Sequence, residues 1–76
     1  MGNIMPIDKG YINAYIEHKG FGFIRREKGR DVLFTIDVLE DKYDTNNLQL
    51  KPEVEFDYEA TDKGPRATAV RFVYES

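Results

Sequence analysis

Apolar and polar residues alternate with a period of two along most of this chain, and nowhere with the 3.6-residue period of a sustained helix. Residues 9–16 set Ile12, Ala14 and Ile16 against Tyr11, Asn13 and Tyr15. Residues 20–26 form a second extended segment, Lys28-Gly29 supplies a hairpin signal, and Asp31 to Ile36 form a third. Residues 37–51 are a polar, acidic connection with an Asp44-Thr45-Asn46-Asn47 turn cluster, and a short helical turn fits at 37–43. Val54, Phe56 and Tyr58 then alternate with Glu53, Glu55, Asp57 and Glu59, the pattern of a strand with one wet face. Thr61-Asp62-Lys63-Gly64-Pro65 reads as a turn, and residues 66–74 as the last strand. Five short strands in a 76-residue chain predict an all-β fold: a small five-stranded antiparallel barrel, whose closure removes most exposed edges. Residues 1–7 read as a flexible tail and residues 8–74 as one domain.

One stretch carries chemistry as well as pattern. In Lys19-Gly20-Phe21-Gly22-Phe23-Ile24 a single extended strand would put Lys19, Phe21 and Phe23 on one face. Two flat rings and a cation in a row suit a single nucleic-acid strand, because rings stack on bases and the lysine neutralises a phosphate. Each stacked base contributes roughly 1–3 kcal/mol. The glycines fit the same picture, since a missing side chain lets a backbone or ligand approach closely. The plainer reading is that Phe21 and Phe23 are core residues, as strand aromatics commonly are.

Charge sharpens this picture and composition narrows the alternatives. The net charge of −3 argues against a polyanionic partner until its distribution is examined. Lys19, Arg25, Arg26, Lys28 and Arg30 against Glu27 make the window 19–30 +4, which leaves −7 for the rest of the chain. Local field rather than net charge governs a docking groove; the plainer account of the cations after Ile24 is a solvated hairpin tip. There is no cysteine and His18 is the single histidine, so thiolate and histidine metal sites are excluded and no cofactor or metal is expected. No apolar run approaches the roughly 20 residues needed to span a bilayer, and no signal-peptide pattern opens the chain. A soluble, cytoplasmic, monomeric protein with no membrane partner is expected. Catalysis is not: no Gly-rich phosphate loop and no histidine pair is present, and the carboxylates of residues 53–59 alternate with apolar residues as a wet face does.

The chain resembles the cold-shock domain family, small five-stranded OB-fold barrels that bind single-stranded RNA and DNA. Lys19–Ile24 matches the family's first ribonucleoprotein motif without a substitution. Seven residues then separate Ile24 from Val32, as in bacterial cold-shock proteins, and Asp31-Val32 matches the start of the second motif. Lys63-Gly64-Pro65-Arg66-Ala67 and Val70 resemble the family's closing segment, while Leu48, Val54 and Phe56 fall on its apolar positions before and within strand four. The likeness covers residues 9–72. It implies single-stranded RNA or DNA as partner, and a role as an RNA chaperone or a regulator of transcription or translation.

This chain also departs from the family where stacking is concerned. Ala14 stands where the family has a tryptophan and Asn13 where it has a lysine. In the second motif the platform phenylalanine becomes Leu33, the stacking histidine Thr35, and a further phenylalanine Ile36. The aromatic of the following loop falls near Thr45, with Tyr43 as a stand-in. Phe21 and Phe23 are retained, and Tyr15 occupies the position of a neighbouring phenylalanine. Losing three or four stacks would remove about 4 kcal/mol or more, roughly a thousandfold or more in affinity. Cations at Arg25, Arg26, Lys28 and Arg30 would recover part of it through counterion release, making binding strongly salt-dependent.

Two readings follow. In the first, Phe21 and Phe23 stack bases, Tyr15 extends the platform, Leu33, Thr35 and Ile36 complete it, and Lys19 contacts phosphate. Arg25, Arg26, Lys28 and Arg30 steer the backbone, Lys63 and Arg66 lie near the platform, and Asp31 accepts from a base. Several of these have plainer readings: Tyr15 as a half-buried strand residue, Lys63 and Arg66 as solvated turn residues, Asp31 as a turn former. In the second, Leu33 and Ile36 form an aliphatic patch for a protein partner, and Asp37, Glu40, Asp41 and Asp44 favour a basic one.

Overall fold

The computed structural model describes residues 7–40 and 45–73. Its strands are β1 (Ile7–Ile16), β2 (Phe21–Arg26), β3 (Val32–Thr35), β4 (Glu53–Thr61) and β5 (Gly64–Phe72). They close into a barrel in the order β1-β2-β3-β5-β4, the OB-fold arrangement. β1 pairs with both β2 and β4, so this long strand belongs to two sides of the barrel. Four junctions are antiparallel; the fifth, between β3 and β5 at Leu33 and Arg66, is parallel. The fully antiparallel expectation is corrected only there. Ile7 opens β1 rather than closing a tail, and residues 1–6, 41–44 and 74–76 lie outside the described residues, Tyr43, Asp41 and Asp44 among them.

The alternating apolar positions supply the core: Ile12, Ile24, Val32, Phe34, Val54, Phe56, Ala67 and Val70 are buried, joined by Leu48 from the short helix α1 (Thr45–Leu48). In β1 the expected alternation breaks. The register with β2 slips between Ile12 and Ala14, where Asn13 is the extra residue of a β-bulge. An extra residue reverses which side chains face inward from that point on. Ile12 and Tyr15 therefore face the core, and Ala14, expected inside, is exposed. Tyr15 lies against Phe34, ring centroids 6.3 Å apart and planes 17° from parallel.

Gly22 makes this packing feasible. It pairs with Tyr15 on one side and Phe34 on the other. A Cβ at Gly22 would overlap the Ala14 carbonyl oxygen and come within 2.8 Å of the Phe34 ring. The bulge, the missing side chain and the large inward ring are one local solution.

Two short 3₁₀ turns were not expected as drawn. Glu17–Lys19 is the first, closed by Gly20 in the left-handed region at φ 71°. Lys19 thus ends a turn, and the extended run begins at Phe21 rather than at Lys19. The second is Ile36–Val38, where a helical turn was expected at 37–43.

Candidate nucleic-acid interface

β2 and β3 place Phe21 opposite Thr35 and Phe23 opposite Leu33. Cross-strand partners share a face, so these four side chains form one contiguous outward surface. Phe21 and Phe23 are half-buried, their ring centroids 6.0 Å apart and their planes at 86°. Such edge-to-face contact holds both rings in place and still leaves surface to solvent. The turn between β4 and β5 rises beside them, and the loop before β3 stands at one end. Together they bound an open groove of about 620 Å³ lined by Phe21, Phe23, Arg30, Asp31, Leu33, Thr35, Lys63, Gly64 and Pro65. The Arg30 guanidinium lies over the bare face of Gly64, 3.4 Å from where a side chain would begin. A larger residue at 64 would push Arg30 away from this end of the groove.

The fold brings seven of the sequence-derived candidates to the groove. Phe21, Phe23, Arg30, Asp31, Leu33, Thr35 and Lys63 line it. Arg66 is exposed on β5 beside Leu33, and Lys28 is exposed in the loop joining β2 and β3. The Thr35 hydroxyl donates to the Asp37 carboxylate, which fixes its orientation at the rim. Tyr15 is 7% exposed and belongs to the core, a correction that follows from the bulge in β1. Ile36 is also corrected: it has left the strand, lies 3.7 Å from where a side chain on Gly20 would begin, and packs against the core. Leu33 and Ile36 therefore do not form a shared outward patch. Lys19 sits in the turn before β2 and does not line the groove.

Two of the cations expected to steer a phosphate backbone are committed to internal partners. Arg25 forms a two-pronged ion pair with Asp31, Nε to Oδ1 at 2.7 Å and Nη2 to Oδ2 at 3.4 Å. The hydrogen bond to Asp31, followed by its Coulomb attraction, raises the Arg25 pKa above its ordinary value. Arg26 donates to the Arg30 carbonyl at 2.8 Å, pairs with Asp8 at 3.3 Å, and lies 4.9 Å over the Tyr58 ring. With 12% of its side chain exposed it braces the loop from inside rather than reaching outward. Arg25 and Asp31 continue the β2–β3 register one step past Ile24 and Val32, so the hairpin itself brings the two charges opposite each other.

Among the described residues no group of His, Cys, Asp or Glu could hold a metal ion, and no helix is long and apolar enough to cross a membrane.

A closed five-stranded barrel thus carries paired aromatics and flanking cations on its β2–β3 face. Residues 8–73 match the family model described as the 'Cold-shock' DNA-binding domain. A retron Se72 cold shock-like protein of Salmonella heidelberg (strain 579083-10) is 40% identical over 67 residues, which cover 88% of this chain and 100% of that protein. The chain belongs to the cold-shock domain family, and its general role is nucleic-acid binding.

Proposed function

We propose that the protein binds single-stranded RNA or DNA in the groove beside Phe21 and Phe23. Bases stack on the two rings and lie against Leu33, the Asp31 carboxylate accepts from base amino groups, and the phosphates pass Arg30, Lys63 and Arg66. The observation that carries this reading is the joint outward placement of both rings, opposite Leu33 and Thr35, in a groove rimmed by two cations. Holding single strands apart from their complements, as an RNA chaperone or a regulator of transcription or translation does, is the role this geometry supports. The protein-docking alternative loses support, because Ile36 packs inward and leaves Leu33 without an aliphatic neighbour from its own motif.

Fluorescence anisotropy of labelled RNA and DNA heptamers across a salt series tests the proposal. With Arg25 and Arg26 engaged by Asp31 and Asp8, about three cations remain for phosphate. At about −0.7 per contact in single strands, log K should fall with log salt at a slope near −2. That corresponds to roughly 20-fold weaker binding between about 50 and 200 mM salt. Absence of binding at low salt would overturn the proposal, and a slope of about −3.5 would mean that the two internal ion pairs open on binding.

Ala14 offers a gain-of-function test. It is exposed and lies directly opposite Phe23 across the β1–β2 pair, on the same face as the groove. Ala14→Trp is expected to add one ring beside Phe23 and tighten binding by about 1–3 kcal/mol, read as a roughly 5- to 150-fold lower Kd. An unchanged Kd would show that bases do not travel on the Phe23 side of β1.

A further inference from the structure

A second groove of about 530 Å³ lies on the same barrel wall, past Phe23 toward the start of β1, with Lys9, Tyr11, Arg25 and Glu53 among its lining residues. Tyr11 is the exposed ring there, 37% accessible, and it stands directly opposite Arg25 in the β1–β2 register. Phe23 is two residues before Arg25 on β2, which makes Tyr11 and Phe23 diagonal neighbours on one face, about 7–8 Å apart by strand geometry. The two grooves also meet physically. Asp31 lines the first, Arg25 the second, and the two side chains bond to each other at 2.7 Å. Lys9 is on the same outward face as Tyr11, two residues before it, and no ion pair holds its ammonium among the described residues.

We infer that Tyr11 is a further base-stacking position, so that a bound single strand crosses the Arg25–Asp31 ion pair and continues onto Tyr11 with a phosphate beside Lys9. The chemistry is that of the first groove: a flat ring at one strand step, a cation within reach of the backbone, and an open floor between them. Glu27, just past the end of β2, and Glu53, opposite Tyr11 on β4, flank β1 on its two sides and repel phosphate, so the backbone would pass against the Lys9 ammonium on β1 itself. Tyr11 thereby replaces a ring that Ala14 does not supply, displaced along β1 beyond the bulge. This inference rests on the reading of the Phe21 and Phe23 groove as a single-strand site, and its test separates the two.

Anisotropy with labelled oligothymidylate tetramers and octamers compares the parent with Tyr11→Ala, Tyr11→Trp and the Phe21→Ala/Phe23→Ala pair. Tyr11→Ala is expected to bind the tetramer as the parent does and the octamer roughly 5- to 150-fold more weakly, the equivalent of one stacked base. The chain has no tryptophan, so Tyr11→Trp reports its own position alone. Its emission should be quenched by the octamer and not by the tetramer. Equal octamer affinity in Tyr11→Ala, or unmoved Tyr11→Trp emission while anisotropy reports binding, overturns the inference and leaves the first groove standing. Binding of both lengths that survives the double phenylalanine replacement, or no binding by the parent, overturns the underlying reading as well.

Discussion

Replacing Phe21 and Phe23 together with alanine is expected to weaken single-strand binding by about 2–6 kcal/mol, a loss of roughly 30-fold to more than 10⁴-fold. The range is that of two stacked bases, and the geometry places the effect above its lower bound. The rings touch edge to face at 6.0 Å, so removing one also frees its neighbour to turn away from the stacking position. Both are half-buried, and the double replacement will lower stability too. Phe21→Leu/Phe23→Leu separates the effects: leucine keeps most of the apolar volume but has no aromatic face. It is expected to melt close to the parent and still lose most of the affinity. Retention of affinity within about twofold in the leucine pair would show that bases do not stack here.

Gly22→Ala is expected to unfold the protein more readily than any single change in the groove. The new methyl would meet the Ala14 carbonyl and the Phe34 ring, and neither can retreat. Ala14 is held by the bulge and its pairing with Phe23, and Phe34 is fully buried. Overpacking against fixed atoms should cost about 3 kcal/mol or more, against roughly 4–11 kcal/mol of total stability for a chain of this size. Thermal melting by circular dichroism should show Tm lowered by about 10–25 °C. A Tm unchanged from the parent would mean that β1 and β2 can separate locally without loosening the core, contrary to the packing described.

The barrel was legible because its signal is distributed. Val54 and Phe56 alternate with acidic residues, Ile24 and Val32 flank a hairpin loop, and each strand repeats the same message. The shared face of Phe21 and Phe23 was legible for the same reason, since both lie on one side of one regular strand. What failed was local. A β-bulge adds a residue without altering composition, so nothing in Ile12-Asn13-Ala14-Tyr15 announces that the alternation reverses there, and alternation alone puts Tyr15 on the outward face. Ile36 has the parity of the buried Val32 and Phe34, so alternation alone points it inward; its outward placement came only from the family's aromatic position, where this chain has turned into a 3₁₀ segment. Arg25 meets Asp31 across the β2–β3 hairpin, whereas Arg26 meets Asp8 only through the pairing of β1 with β2, which the residue pattern does not register. Charge counted along the sequence therefore overstated the cations free to meet phosphate.

The parallel junction has its own consequence for how the protein behaves as a receptor. Leu33 belongs to β3 and Pro65 to β5, strands that adjoin only across that seam and are separated by most of the second half of the chain. The groove spans it, with Lys63, Gly64 and Pro65 on one side, so a molecule whose seam has parted loses that wall of the groove. Capture of a strand in the proposed groove would then be coupled to closure of the barrel, and a ligand held there would tighten that closure by mass action. Hydrogen exchange at the β3 and β5 amides should accordingly slow in the presence of oligonucleotide, a record of occupancy written in the backbone rather than in the rings.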